Sequence, residues 1–508
     1  MLAKVLSSTV VGIDGMLIEV EVDVSNGLPT FAIVGLPGEE VRESRDRVRA
    51  ALKNSGLEFP AKRIVVNLAP ATVRKEGGSF DLPIAVGLAI ASGQIKAEPV
   101  AGGGYLLLGE LSLDGSLKPT RGILSMVAGV GSSSLAGVIV PKCNAREAAV
   151  CTEGPVFGVG ALAEVFGVVS GSLRPAPAVA SREVGPSDGH YDVDFSEVRG
   201  QEHAKRAIEV AAAGNHNLLM IGPPGSGKTM IARRLPTVLP SLSVAEAIET
   251  TKIFSVAGLL SLDGLLARRP FRSPHHSISD VALVGGGRVP HPGEVSLAHH
   301  GVLFLDEFTE FRRSALEVLR QPLEDRVVTI SRAHSSVTYP ANFMLVAAMN
   351  PCPCGNKTDP RKECRCSVGD VERYRRKISG PLLDRIDIHI EVPPARYSEI
   401  AGEGSSESSE AIRERVRRAR ALQQDRFSRD PGIFTNSQML SRQMKQFCRL
   451  DARSADLLKA ATTRLGLSAR SYTKVLKVAR TIADLEGVDG IETRHVAEAI
   501  QYRSRDYS

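Results

Sequence analysis

Gly222-Pro223-Pro224-Gly225-Ser226-Gly227-Lys228-Thr229 follows the apolar run Leu218-Leu219-Met220-Ile221 and precedes a helical pattern at residues 230–235. The octapeptide fits GxxxxGK[ST], a phosphate-binding loop set between a strand and a helix. Its glycines let backbone N–H groups turn inward around phosphate oxygens, and the helix after it adds the positive end of its dipole. Lys228 offers a point charge to the outer phosphates of a nucleotide, and Thr229 offers a hydroxyl to Mg²⁺. The chain holds 47 glycines, so a chance match is not negligible and the residues downstream must decide.

They do. Val302-Leu303-Phe304-Leu305 reads as a buried strand ending in two adjacent acids, Asp306 and Glu307. An acid at that position can hold Mg²⁺ through its water shell, and the next can polarise an attacking water. A further apolar run, Met344–Met349, delivers Asn350, a polar group that can orient such a water. The run Gly380-Pro381-Leu382-Leu383-Asp384-Arg385-Ile386-Asp387 presents Arg385 just before a new strand, the place of an arginine finger that serves a neighbouring subunit in trans. Leu467-Ser468-Ala469-Arg470 opens a helix from which Arg470 can lean onto the γ-phosphate. Taken by themselves, Arg385 and Arg470 are two arginines among many.

The rest of the chain is organised around this centre. Its 508 residues, 43% hydrophobic and 24% charged, suffice for several cores, and the longest apolar runs fall well short of the ~18–20 residues a membrane span requires. With no basic-then-apolar leader pattern, a cytoplasmic location is expected. Residues 1–170 alternate short β-runs with helical patterns at residues 39–55 and 82–92 and read as an α/β or α+β domain. Prolines and small residues mark a linker at 171–190, an α/β core extends over 191–392, a Gly/Ser/Glu hinge covers 393–410, and helical periodicity dominates 411–508. The net charge of +6 is mild. Basic residues concentrate at 373–377 and 413–429, where a solvated helix face is the ordinary reading.

Order and spacing of these motifs resemble the magnesium-chelatase-like branch of AAA+ ATPases, and within it the ComM/YifB family. The likeness extends to Gly-Leu-Pro at Gly35, Phe-Arg-Ser-Pro-His-His at Phe271, Asn-Pro-Cys-Pro-Cys-Gly at Asn350 and Ile-Gln-Tyr-Arg at Ile500. It implies a hexameric ring that couples ATP hydrolysis to translocation on single-stranded or branched DNA, as a branch-migration helicase in recombination and natural transformation. The alternative is a chelatase-type or chaperone-like ATPase that remodels a protein partner. The resemblance also implies two insertions in the core. The first, at 271–300, contains Gly285, Gly286 and Gly287 and five histidines, His275, His276, His291, His299 and His300, for which interface or pore-lining roles are more ordinary than metal binding. The second, at 326–339, reads as a β-hairpin whose tip would carry Arg332 and His334 to the DNA backbone or simply form an exposed turn.

Four of the seven cysteines, Cys352, Cys354, Cys364 and Cys366, form two CxC pairs suited to structural Zn²⁺, with free thiols or a redox pair as the other readings. The N-terminal domain resembles the Lon-protease-like fold. Ser79 falls near that family's nucleophile, but Leu124 stands where its lysine belongs and Lys118 comes too early. A Ser/Lys dyad is therefore not expected, nor is peptidase activity.

Overall fold

The computed structural model describes residues 1–98, 104–131, 135–179, 191–260, 264–287, 290–332, 335–395, 406–430 and 432–503. The chain divides into two compact units, Met1–Pro186 with Ser243–Ala267, and Ser187–Leu242 with Arg268–Ser508.

The first unit is built on a long hairpin, Leu2–Val11 and Asp14–Ser25, which pairs antiparallel from Leu2 opposite Asp23 to Val11 opposite Asp14. Alternation along the second strand sends Ile18, Val20, Val22 and Val24 to the buried face. Seven strands follow the order Thr30–Val34, Arg63–Ala69, Asp14–Ser25, Leu2–Val11, Tyr105–Leu107, Gly137–Pro141, Val156–Val159. Against the hairpin lies the helix Asp81–Ala91, apolar on every side and buried along nearly its whole length, as a helix without a polar face must be. Its one acid, Asp81, is buried and paired with Arg47 at 2.6 Å.

The excursion Ser243–Ala267 differs from the sequence reading, which placed it inside a continuous core at 191–392. Its helix, Val244–Ala257, starts at a capping box formed by Ser243 and Glu246. Ser255 Oγ donates to buried Glu147 at 2.5 Å, and Glu147 also accepts from Leu124 N–H and Asn144, both at 3.1 Å. No composition shift marks the exit near residue 242. The partner that holds the helix lies a hundred residues upstream, so no local signal could reveal it.

In the second unit five parallel strands run in the order Phe271–Arg272, Val302–Leu305, Met344–Met349, Leu218–Ile221, Ile388–Glu391. The three central ones are buried at every position, which is why they read as uninterrupted apolar runs. The C-terminal helices share this unit's core: Val416, Val475, Ile482 and Val496 join Ile208, Val210, Leu218 and Val346 in one cluster. The basic run at 413–429 is divided: Arg417, Arg418 and Arg429 are exposed, while other arginines are spent internally. On the helix Ser409–Arg426, Arg415 pairs with Glu209 and Glu407, Arg420 donates to Ala212 O at 3.0 Å, and Arg426 meets buried Asp484 at 2.5 Å.

The two segments read as insertions each contain an antiparallel pairing. Val327–Arg332 and Ser335–Pro340 pair as an antiparallel hairpin, and Gly285–Gly286 pairs with His291–Pro292 beside it, with Ile330 against Gly285. His334 lies outside the described residues, as does the side chain of Arg332.

Candidate nucleotide site

Parallel strands end at a common edge, and in an open α/β sheet that carboxyl edge is where ligands bind. Ile221 leads into the glycine loop, Leu305 into Asp306 and Glu307, and Met349 into Asn350. Gly225 and Gly227 take φ of 77° and 92°, a conformation that turns the loop and that other residues adopt only under strain. Helix Lys228–Val238 then begins, so its first N–H groups face the loop.

Thr229 Oγ1 donates to Asp306 Oδ2 at 2.6 Å, and Asp306 Oδ1 accepts the N–H of Glu307 at 2.9 Å. The pair Thr229 and Asp306 is therefore set to share a hard cation through oxygen. Lys228 Nζ donates to Gly222 O at 2.7 Å and Pro223 O at 3.0 Å and lies 3.4 Å from Asn350 Oδ1. Burial lowers the Lys228 pKa to about 8, with Asp306 opposing. A polyphosphate beside that ammonium would stabilise its charged form. Between about pH 8 and 10, nucleotide binding should therefore take up protons, an uptake that disappears toward about pH 6, where Lys228 is already charged. Calorimetry in buffers of differing ionisation enthalpy reads this directly.

Glu307 sits at φ 52°, which lifts its side chain, 60% exposed, away from the strand line. His276 Nδ1 lies 3.1 Å from its carboxylate, and the His276 ring lies tilted by 34° with its centroid 4.0 Å from that of His275 and meets Phe311 edge-on. Two further histidines of this segment have identified partners: His275 bonds Ser277 at 2.8 Å, and His299 Nδ1 accepts from Asn342 N–H at 2.9 Å.

Beyond Asn350 the chain folds back on the glycine loop. At Gly355, with φ 79°, a Cβ would stand 2.6 Å from Pro224, so only glycine lets this turn approach so closely. The sulfurs of Cys352, Cys354, Cys364 and Cys366 all lie within 4.8 Å of one another, with separations of 3.4, 3.7 and 3.7 Å among the first three. A thiolate tetrahedron with metal–sulfur bonds of ~2.3 Å has sulfurs ~3.8 Å apart, so the cluster fits a metal ion. Backbone N–H groups of Asn356 and Arg365 press the Cys354 thiol down to about 6.

Arg385 and Arg470 are not with these groups. Strand Ile388–Glu391 runs parallel to Leu218–Ile221 with Leu218 opposite Ile388, so Arg385 stands at the amino edge while the glycine loop leaves from the carboxyl edge. Its guanidinium pairs with Glu324 and donates to Pro381 O at 2.7 Å. Arg470 Nη2 meets the other oxygen of the same carboxylate at 3.1 Å. Arg470, expected from the sequence to lean onto the γ-phosphate, keeps company here with Arg385 through Glu324. Glu324, within Gln-Pro-Leu-Glu-Asp, carried no signal beyond that of a surface acid.

In the first unit Ser79 is 2% exposed and its Oγ has no hydrogen-bond partner among the described residues. The ammonium of Lys75 is committed to the carbonyls of Gly35, at 3.0 Å, and Pro70. Lys118 is exposed and Leu124 buried.

A glycine loop, an acidic strand end and a polar strand end on one parallel sheet define a P-loop ATPase core. Its sequence matches the family described as magnesium chelatase, subunit ChlI, over residues 194–400, with companion matches to subunit ChlI of Mg-chelatase over 20–144 and to the ChlI C-terminal region over 406–503. More narrowly, the chain belongs to the ComM/YifB family of magnesium-chelatase-like AAA+ ATPases. It is 43% identical over 507 residues to the competence protein ComM of Haemophilus influenzae, covering 99% of this chain and 97% of that one. The YifB protein of Escherichia coli is 43% identical over 511 residues, with the same coverage. The magnesium-chelatase 38 kDa subunit of Rhodobacter capsulatus is more distant, 24% identical over 332 residues, 59% of this chain and 84% of that one. Among the described residues no helix is long and apolar enough to cross a membrane.

Proposed function

We propose that the chain is an ATP-driven ring motor acting on DNA. The observation that carries the reading is the division of the chemistry between two edges of one sheet. Lys228, Thr229, Asp306, Glu307 and Asn350 gather at the carboxyl edge, whereas the two arginines that could stabilise transferring phosphate stand at the amino edge. A complete site then needs the carboxyl edge of one subunit and the amino edge of the next, and repetition of that heterologous contact closes a ring, a hexamer by family resemblance. Within it the glycine loop and Lys228 would bind the phosphates, Thr229 and Asp306 would hold Mg²⁺, which supplies charge neutralisation, Glu307 would take the proton of the attacking water, and Asn350 would orient that water. The hairpin Val327–Pro340 would carry Arg332 and His334 to the DNA backbone, giving salt-dependent, sequence-tolerant contact. DNA is favoured as the track by the near full-length likeness to a competence protein, and branch migration in recombination and natural transformation is the activity that likeness suggests.

The test is ATP turnover with and without single-stranded or branched DNA at low salt. Stimulation of about tenfold or more is the expected result. Turnover indifferent to DNA but raised by a protein partner would favour the chelatase-type or chaperone-like reading, which the chelatase family match keeps in view.

The four cysteines would hold one structural Zn²⁺ with all positions filled by protein, bracing the turn that abuts Pro224. Metal analysis should find about one zinc per chain, and Cys352→Ser should release it and lower the melting temperature by roughly 5–10 °C. The first unit, with Ser79 buried and Lys75 engaged elsewhere, serves as scaffold or DNA-contacting module and not as a peptidase.

A further inference from the structure

At the amino edge of the second unit's sheet the chain buries a polar cluster that the nucleotide chemistry does not use. Asp387 Oδ1 accepts from Lys474 Nζ at 2.5 Å, and its Oδ2 accepts from Asn217 N–H at 2.8 Å and lies 3.9 Å from His216 Nδ1. His216 Nε2 in turn meets Thr481 Oγ1 at 2.8 Å. Burial alone would raise the Asp387 carboxyl, but the Lys474 charge beside it prevails and holds it at about 2, while burial pushes His216 down to about 4, so it is neutral. Lys474 and Asp387 thus form a buried ion pair whose members depend on each other.

Two of these groups converge on one atom. The carbonyl oxygen of Arg385 accepts from Lys474 Nζ at 2.8 Å and from Asn217 Nδ2 at 3.1 Å. Asn217 opens the strand that leads into the glycine loop, and its Oδ1 accepts from Leu345 N–H at 2.9 Å, on the strand that ends at Asn350. Lys474 lies on helix Ala469–Leu485, one turn from Arg470 and on the same face. Arg385 is therefore gripped at its guanidinium by Glu324, which also holds Arg470, and at its main chain by the helix that carries Arg470.

We propose that Lys474, with Asp387 as counter-ion, is a positioning residue for Arg385, locking that arginine's main chain to the Arg470 helix so that both guanidiniums meet the neighbouring subunit as one pair. The inference rests on the ring reading. It is specific because a misplacement of about 1 Å in such a group can cost about 10²-fold in rate.

Subunit mixing tests it with full-length protein. Lys228→Ala subunits keep their arginines but lose the phosphate loop, and Arg385→Ala subunits do the reverse, so rings of the two together should hydrolyse ATP about tenfold faster than either alone. If that mixture stays inactive, the ring reading fails before Lys474 is tested. Given that control, Lys474→Met alone should lose about 10- to 10²-fold in turnover at saturating ATP with nucleotide affinity unchanged. Mixing with Lys228→Ala should restore it, and mixing with Arg385→Ala should not. Because Lys474→Met leaves Asp387 buried and unpaired, the paired variant Lys474→Met/Asp387→Asn, which removes both charges, is run beside it as the folded reference. Restoration of the paired variant by Arg385→Ala subunits, or by neither partner, overturns the proposal. So does an Arg385→Ala/Lys474→Met double variant whose loss is the product of the single losses, since residues acting through one another are not additive.

Discussion

Arg385→Ala is expected to lower ATP turnover by about 10³- to 10⁵-fold while changing nucleotide affinity by no more than about twofold. The expectation comes from where the side chain starts. Arg385 lies just before Ile388, which pairs with Leu218 at the beginning of the strand, and the glycine loop begins only after Ile221. Four residues of extended chain span ~13 Å, and Arg385 is directed instead to Glu324 and Pro381 O at the amino edge. Within one chain it therefore contributes nothing to holding ATP. In a ring it would contact the neighbour's phosphate chiefly as charge develops, so its removal should appear in turnover at saturating ATP and not in binding. Steady-state hydrolysis beside titration with a fluorescent nucleotide separates the two. Near-normal turnover in the variant would remove Arg385 from the mechanism.

Glu307→Gln should slow hydrolysis by about 10²- to 10⁴-fold and leave ATP bound. Glutamine keeps the volume and can still accept a hydrogen bond from His276, but it cannot take a proton. The partners of the two acids support the division of labour proposed for them. Asp306 is held by the Thr229 hydroxyl and by the Glu307 N–H, which suits the cation-holding role proposed for it. Glu307, turned out at φ 52°, meets among the described residues an imidazole at ion-pair distance and is the acid proposed to act on the water. Asp306→Asn should accordingly weaken Mg²⁺-dependent nucleotide affinity, whereas Glu307→Gln should not. Equal effects of the two substitutions on affinity would contradict this assignment.

Much of the first site was legible because its chemistry is local. A glycine loop, an acid pair and an asparagine each follow immediately on a buried apolar strand, and in a parallel sheet such strands must be apolar throughout and must all end at one edge. Reading three strand ends therefore assembles five residues without knowing how the strands are ordered. The cysteine cluster was legible for a similar reason, since its two pairs are close in sequence and need only one turn to meet.

The amino edge was not legible. Glu324, Arg385 and the helix that carries both Arg470 and Lys474 come from three segments, and the contacts that join them depend on which strand lies beside which and on how the last long helix packs. The sequence marks Arg385 and Arg470 only as arginines next to helix or strand starts, and it marks Glu324 and Lys474 not at all. Likewise the departure of Ser243–Ala267 to the first unit turns on a buried glutamate far upstream. By itself, then, the sequence determined that this chain carries a P-loop ATPase core, because phosphate and metal chemistry constrain residues adjacent along the backbone. Only the tertiary structure decided that the two arginines face away from their own nucleotide loop, because strand direction and helix packing alone set the edge at which they stand.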